Sequence, residues 1–342
     1  MIKKEIKMRL YKEMLRIRLC EEKIAELYPQ QEMRCPVHLS VGQEAPAVGV
    51  SAHLSDKDYA MSGHRAHAHY LAKGGDMKAM IAELYGKETG CCHGVGGSMH
   101  LIDLSVGFLG AVPIVGSIIP IGVGVALGSV MKKEPGLTVV YFGDGAVEEG
   151  VFHESMNFAA LKNLPVVFLC ENNFYSVYSN LSVRQPRGRE IYKIADAYNM
   201  ESAQGDGNNV LEVYEMAGKA IEKARRGGGP TLLEFKTYRW REHCGYNYDN
   251  DIGYRTEEEF EKWKTRCPVL WMKEKLLNEN IINKDWMQEI EQEINREIEE
   301  AVKFAQESPY PNRERLWMNL YDDKIKERVI FNEQRVEVFP GH

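Results

Sequence analysis

Two short apolar runs that bracket one helix constrain this chain most. Leu137-Thr-Val-Val-Tyr-Phe142 and Pro165-Val-Val-Phe-Leu-Cys170 are rich in β-branched and aromatic residues. Residues 146–161 between them carry helix formers, with Val151, Phe152, Ser155, Phe158 and Ala159 on one face. Strand, helix and strand in so short a stretch make a βαβ unit, which implies an α/β fold: a parallel sheet with helices on both faces. A third candidate strand, Thr231-Leu-Leu-Glu-Phe-Lys236, follows a helical stretch over 210–225 and a turn over 227–230. Residues 1–30 and 76–85 read as amphipathic helices, and 86–97 as a glycine-rich turn region.

These elements predict a single domain over 1–342, with an N-terminal helical extension (about 1–35) and a C-terminal helical region (about 257–342). In the latter, Trp286, Ile290, Ile294, Ile298 and Val302 recur every four residues among Glu and Lys, a stripe that suits packing on the main domain or a subunit contact. Composition excludes several classes. With 43 Lys+Arg against 50 Asp+Glu the chain lacks the basic surplus of a general nucleic-acid binder, so no nucleic acid is expected. Seven cysteines without a CxxC pair, and an N-terminus without an uninterrupted apolar core, point to a reduced, cytoplasmic protein. Residues 104–131 carry no formal charge and are long enough to span a bilayer. Glycines at 107, 110, 116, 122, 124 and 128, with Pro113 and Pro120, break any single regular helix there. A buried loop and a small-residue helix are expected instead, and no membrane partner.

The chemistry gathers at Gly143-Asp144-Gly145, where the first strand of the unit meets its helix. Ligands of parallel sheets bind off the carboxyl ends of the strands, and a helix start with permissive glycines lets backbone N–H groups approach a phosphate. An aspartate in such an anion site makes sense if a divalent cation lies between carboxylate and phosphate. Mg²⁺ is held by one or two carboxylates or amides together with ligand phosphates. The second strand ends in Glu171-Asn-Asn-Phe-Tyr175 at the same sheet edge. Asp144, the Asn173 side-chain oxygen and the Tyr175 backbone carbonyl are therefore the candidate metal ligands. The bland alternative is an Asn-rich turn beside a capped helix.

GDG followed by NN across a strand–helix–strand unit resembles the diphosphate and Mg²⁺ corner of thiamine-diphosphate enzymes. Further motifs occur in the order seen in one family: Val37-His-Leu-Ser-Val-Gly-Gln-Glu-Ala45, Ser62-Gly-His-Arg-Ala-His-Ala-His-Tyr-Leu-Ala-Lys-Gly74, Gly94-Val-Gly-Gly-Ser-Met-His100, Ile114-Val-Gly116 and Thr237-Tyr-Arg-Trp-Arg-Glu-His243. From about residue 8 to about residue 307 the chain resembles the alpha subunits of heterotetrameric 2-oxo acid dehydrogenases, the pyruvate, branched-chain and acetoin group. The resemblance implies a thiamine-diphosphate-binding fold and assigns roles by motif. His64 and Arg65 contact the diphosphate, with the Arg fork suited to phosphate oxygens. His67 lies toward the substrate. Pro113 and Val115 hold the aminopyrimidine through backbone atoms. Asp144, Gly145, Ala146, Asn173 and Tyr175 form the diphosphate and metal corner. His243 reaches the diphosphate and the reacting carbon, where it acts in proton transfer.

The chain departs from the family in places. Pro113 stands where Gly is usual, removing an N–H and fixing φ. Glu148-Glu149 replaces the frequent Asn-Gln and is closer to transketolase-like enzymes, and Cys244 occupies the position of a regulatory serine, so phosphorylation there is not carried over. The tyrosines and acids of 244–251 either face a more polar substrate or form a solvated loop. A chain of this length holds one thiamine-type domain, and in the resembling family the glutamate that activates the aminopyrimidine comes from a separate beta subunit. The resemblance thus implies an alpha2beta2 assembly acting on a small molecule, a 2-oxo acid or an acyloin such as acetoin, and passing the acyl group to a lipoyl acyltransferase. The alternative is a thiamine-dependent ligase or ketol transferase working without lipoamide, on a sugar-derived substrate.

Overall fold

The computed structural model describes residues 2–313. Its strands are β1 (Tyr59–Ser62), β2 (Phe108–Ala111), β3 (Thr138–Gly143), β4 (Val166–Asn172), β5 (Tyr175–Ser176), β6 (Ser179–Asn180), β7 (Glu201–Asp206) and β8 (Thr231–Lys236). Six of them form a parallel sheet in the order β2-β1-β3-β4-β8-β7, and β5 and β6 pair as a small antiparallel ribbon. The helices are α1 (Lys4–Leu27), α2 (Glu44–Ser51), α3 (His67–Ala72), α4 (Met77–Leu84), α5 (Ile118–Lys132), α6 (Gly150–Leu161), α7 (Leu181–Arg184), α8 (Val210–Arg225), α9 (Glu257–Lys264), α10 (Pro268–Asn278) and α11 (Lys284–Glu307).

Every residue of β4, and of β3 from Thr138 to Phe142, is buried, as central parallel strands require. Alternate residues feed two cores. Val139, Tyr141, Val167, Leu169, Leu233 and Phe235 pack with residues of α1, α2, α3 and α8. Val140, Phe142, Val166, Phe168, Cys170 and Leu232 pack with α5 and α6. Gly122 is what lets α5 lie so close to the sheet, because a Cβ there would come within 2.3 Å of the Val140 Cγ2. Since β1 leads to β2 on one side while β3 and β4 extend to the other, the strand order reverses between β1 and β3. That reversal opens a crevice at the strands' carboxyl ends.

The strands predicted at 137–142, 165–170 and 231–236 are present as Thr138–Gly143, Val166–Asn172 and Thr231–Lys236, and the helix predicted at 210–225 as Val210–Arg225. The helix expected from 146 begins at Gly150, because 144–148 form a 3₁₀ turn. β1, β2 and β7 were not legible: β1 and β2 are four residues each, and β7 is a polar, half-buried edge strand whose partner β8 supplies the order. The stripe on α11 packs against α4 and α1, with Trp286 beside Tyr11 at 6.1 Å between rings. A true helix turns 3.6 residues per turn, so the buried line drifts from Ile290, Ile294 and Ile298 to Ala301 and Ala305 while Val302 is only half-buried. Residues 314–342 of the expected C-terminal helical region lie outside the described residues.

The uncharged stretch 104–131 forms β2, a turn and α5, and no helix among the described residues is long and apolar enough to cross a membrane. It is less buried than expected. Ile121 and Met131 are 45% and 74% exposed, and a Cβ at Gly124 or Gly128 would meet nothing. All seven cysteines are free thiols.

Candidate active site

A cavity of about 220 Å³ lies at the crevice between β1 and β3. The turn after β1 supplies Gly63, His64 and Arg65; the end of β3 and the turn after it supply Gly143, Asp144, Gly145 and Ala146; the end of β4 and the turn into β5 supply Glu171, Asn173 and Tyr175. Pro113 and Val115 enter from the loop before α5, and His243 from the loop after β8. Every residue given a cofactor, metal or substrate role from the sequence lines this cavity except His67. That side chain is fully buried, with Nδ1 3.2 Å from Glu21 and Nε2 2.7 Å from the Ser98 Oγ. The expectation that His67 faces the substrate is corrected: both ring nitrogens tie α1 to the glycine-rich loop.

The two asparagines after β4 do different work. Each accepts from the N–H two residues on, Asn172 from Phe174 at 3.0 Å and Asn173 from Tyr175 at 3.1 Å. The Asn172 Nδ2 then donates to Glu234 on β8, fixing the turn to the sheet, whereas Asn173 faces the cavity and donates to Gln43. Phe174 and Val177, on either side of Tyr175, have φ of 69° and 54°, left-handed values rarely adopted by such side chains and concentrated at functional turns.

This corner fits a metal-bound diphosphate. Asp144 is almost completely buried, its carboxyl pushed up by burial and drawn back down by the Arg184 guanidinium, which pairs with both Asp144 and Glu148. A buried carboxylate that holds a cation at hand is the donor a divalent ion needs. At Gly145 an added Cβ would come within 2.8 Å of the Ser176 Oγ, so a larger residue there would have to push Ser176 aside. The His38 Nδ1 is buried beside the cavity without a hydrogen-bond partner.

His38, His64 and His243 face one another with ring centroids 4.7–5.2 Å apart. Arg65 binds the loops that carry them, donating to the Leu39 carbonyl at 2.6 Å and the His243 carbonyl at 3.0 Å. Burial, and the Arg65 charge after it, pushes their pKa values down to about 2, 4 and 3 respectively. All three are neutral at pH 7, so each ring keeps one nitrogen free to accept a proton. Their titration also sets a stability trend. The unfolded chain takes up protons at these histidines below about pH 6.5 while the folded chain does not, so their contribution is complete above that pH and is lost as pH falls. The denaturant midpoint is expected to drop between pH 7 and pH 5, and a His38→Asn/His243→Asn double variant to flatten part of that slope; an unchanged slope would refute the assignment.

Sequence reading missed His38, Gln43, Ser62, His69 and Glu171 as cavity residues. All five sit inside stretches already singled out, but only the crevice shows which side chains of those stretches turn inward. Arg184, the last residue of the short helix α7, carried no signal, since it belongs to none of the motifs of the sequence. The loop at 244–251 contributes nothing to the cavity wall: Asp249 is buried between Arg239 and Arg255, and Tyr246 packs on Tyr28.

The fold and this corner define a class. The model of the dehydrogenase E1 component family matches residues 12–314, and the chain belongs to that family, among the alpha subunits of its pyruvate and acetoin enzymes. It is 43% identical over 313 residues to the alpha subunit of acetoin:2,6-dichlorophenolindophenol oxidoreductase of Bacillus subtilis, covering 91% of this chain and 92% of that one. The pyruvate dehydrogenase E1 component subunit alpha of Porphyra purpurea is 39% identical, with 92% of each chain covered. The chloroplastic subunit alpha-3 of Arabidopsis thaliana is 37% identical over 94% of this chain and 76% of its own. These relatives do not favour the ligase or ketol-transferase alternative.

Proposed function

We propose that this chain is the cofactor-anchoring alpha subunit of a cytoplasmic thiamine-diphosphate- and Mg²⁺-dependent dehydrogenase that cleaves a 2-oxo acid or an acyloin and delivers the acyl group to a lipoyl acyltransferase. One convergence carries the reading: the GDG turn, the Asn173 turn, the His64-Arg65 turn and His243 meet in a single cavity at the strand-order reversal. Asp144, the Asn173 side-chain oxygen and the Tyr175 carbonyl would hold Mg²⁺; Arg65 and His64 would face the diphosphate; backbone atoms of Pro113 and Val115 would meet the aminopyrimidine. Bound thiamine diphosphate supplies a carbon nucleophile and an electron sink. His243, neutral and beside Arg65, holds or receives a proton at its free ring nitrogen.

A beta subunit completes the site in an alpha2beta2 assembly. Ile114 is 70% exposed and Val115 44%, right at the cavity mouth, and they continue into the exposed apolar face of α5. An apolar rim beside a binding cavity is the surface a partner chain covers. Calorimetric titration of thiamine diphosphate with Mg²⁺ tests this on the chain alone and on the chain co-expressed with its beta-type partner. Binding is expected only with the partner. Equally tight binding by the isolated chain overturns the shared site, and an assembled enzyme that forms no acyl-lipoamide overturns the acyl-transfer role.

A further inference from the structure

Ser62, His69 and Glu171 come from three different elements, the end of β1, the helix α3 and the end of β4, and they form one hydrogen-bonded series on the cavity wall. The Ser62 Oγ lies 2.8 Å from the His69 Nδ1, and the His69 Nε2 lies 3.0 Å from the Glu171 Oε1. The imidazole is stacked on the Tyr141 ring, with centroids 4.0 Å apart and planes 23° from parallel. All three residues are buried, at 1%, 3% and 7% exposure. With Glu171 accepting the Nε2 proton, Nδ1 is left as the acceptor for the Ser62 hydroxyl. Hydroxyl, imidazole and carboxylate in this order move a proton inward and stabilise the imidazolium that results.

No cofactor contact assigned above uses this series. His38, His64 and His243 stand beside the Arg65 cation, whereas His69 is the cavity histidine bonded to a carboxylate. The two candidate substrate classes differ in whether they need such a group. A 2-oxo acid releases carbon dioxide from an already ionised carboxylate, and no proton has to leave. An acyloin is cleaved between its carbonyl carbon and its carbinol carbon. The carbinol O–H proton must then be taken as the aldehyde forms.

We propose that Ser62, relayed through His69 and held by Glu171, accepts the hydroxyl proton of an acyloin substrate, which makes acyloin cleavage the reaction this cavity is built for. The inference rests on the thiamine-diphosphate reading of the cavity. In the step, the carbinol proton passes to the Ser62 Oγ while the Ser62 proton passes to the His69 Nδ1. As the carbon–carbon bond breaks the aldehyde would leave, and the bond's electron pair would pass to the electron sink that bound thiamine diphosphate would supply. No oxidant enters until the later acyl transfer. Ser62 is the residue that meets the substrate; His69 and Glu171 position and relay.

The test compares Ser62→Ala, Ser62→Thr and His69→Gln with the unaltered chain in the assembled enzyme. Acetoin and pyruvate serve as substrates with dye reduction as the readout, and thiamine diphosphate affinity is measured by calorimetry. Acetoin kcat is expected to fall about 10²–10⁴-fold in Ser62→Ala and His69→Gln, with the pyruvate loss at least about tenfold smaller. Ser62→Thr, which keeps the hydroxyl, should recover most of the acetoin activity. Cofactor affinity should change by less than about threefold, since the series touches no metal ligand. Equal losses on both substrates, an undiminished acetoin rate, or an unaltered enzyme that turns over pyruvate and not acetoin would each overturn the proposal alone. An assembled enzyme that binds no thiamine diphosphate would bring down the underlying reading as well.

Discussion

Asp144→Ala in the assembled enzyme is expected to abolish Mg²⁺-dependent binding of thiamine diphosphate, weakening it by about 10³-fold or more, roughly 4 kcal/mol. Asp144 supplies the carboxylate of the proposed metal corner, and its partners there are neutral oxygens. A small hard cation that keeps only neutral protein ligands loses its charge complement at the point where the diphosphate also brings negative charge. The fold should tolerate the change better than the site does. Arg184 loses one carboxylate partner but keeps Glu148 at its other nitrogen, so an uncompensated buried charge is avoided. Calorimetry with Mg²⁺ and thiamine diphosphate, and a denaturant titration without them, separate the two effects. Undiminished affinity would remove Asp144 from the metal corner.

The largest expected loss of stability comes from Glu83→Ala. This carboxylate on α4 is 1% exposed and accepts four backbone N–H groups of the glycine-rich loop: Cys92 at 2.8 Å and Gly94 at 2.9 Å on one oxygen, Gly96 at 2.7 Å and Gly97 at 2.9 Å on the other. Truncation strands four donors together with the space of the side chain. Each unsatisfied buried donor costs about 1–3 kcal/mol, and partial rehydration of the loop brings the total to about 3–5 kcal/mol. The damage should reach the cavity, because the next residues are Ser98, bonded to His67, and Met99 on the cavity wall. A midpoint shift equivalent to less than about 1 kcal/mol would show that the loop holds itself without Glu83.

The part of the site that was legible in the sequence is the part built by local rules. A GDG turn at the end of a fully apolar strand, and an Asn turn at the end of the next, reach the same edge of a parallel sheet by the geometry of βαβ units alone. Asp144, Gly145, Asn173 and Tyr175 therefore stand together as expected. His64, Arg65, Pro113, Val115 and His243 are far apart along the chain, and only their likeness to a family pointed to a common place. His67 shows where that guidance stopped. In the run His64, His67, His69 nothing local says which ring faces a cavity and which lies under it, since the short turn of α3 sends His69 to Glu171 and His67 to Glu21 and Ser98.

By itself, then, the sequence determined the fold class, the longer helices such as α1, α6, α8 and α11, the central strands, and the meeting of the Asp144 and Asn173 turns at one sheet edge, because periodicity, apolar runs and turn chemistry act over a few residues. Tertiary structure decided the rest. The short strands β1 and β2 and the polar edge strand β7 exist through their neighbours. The Arg184 pairing with Asp144, the crowd of neutral histidines around Arg65, and the Ser62–His69–Glu171 series depend on burial and on contacts between segments distant in the chain. Desolvation and long-range packing are properties of the folded whole, and no window of sequence carries them.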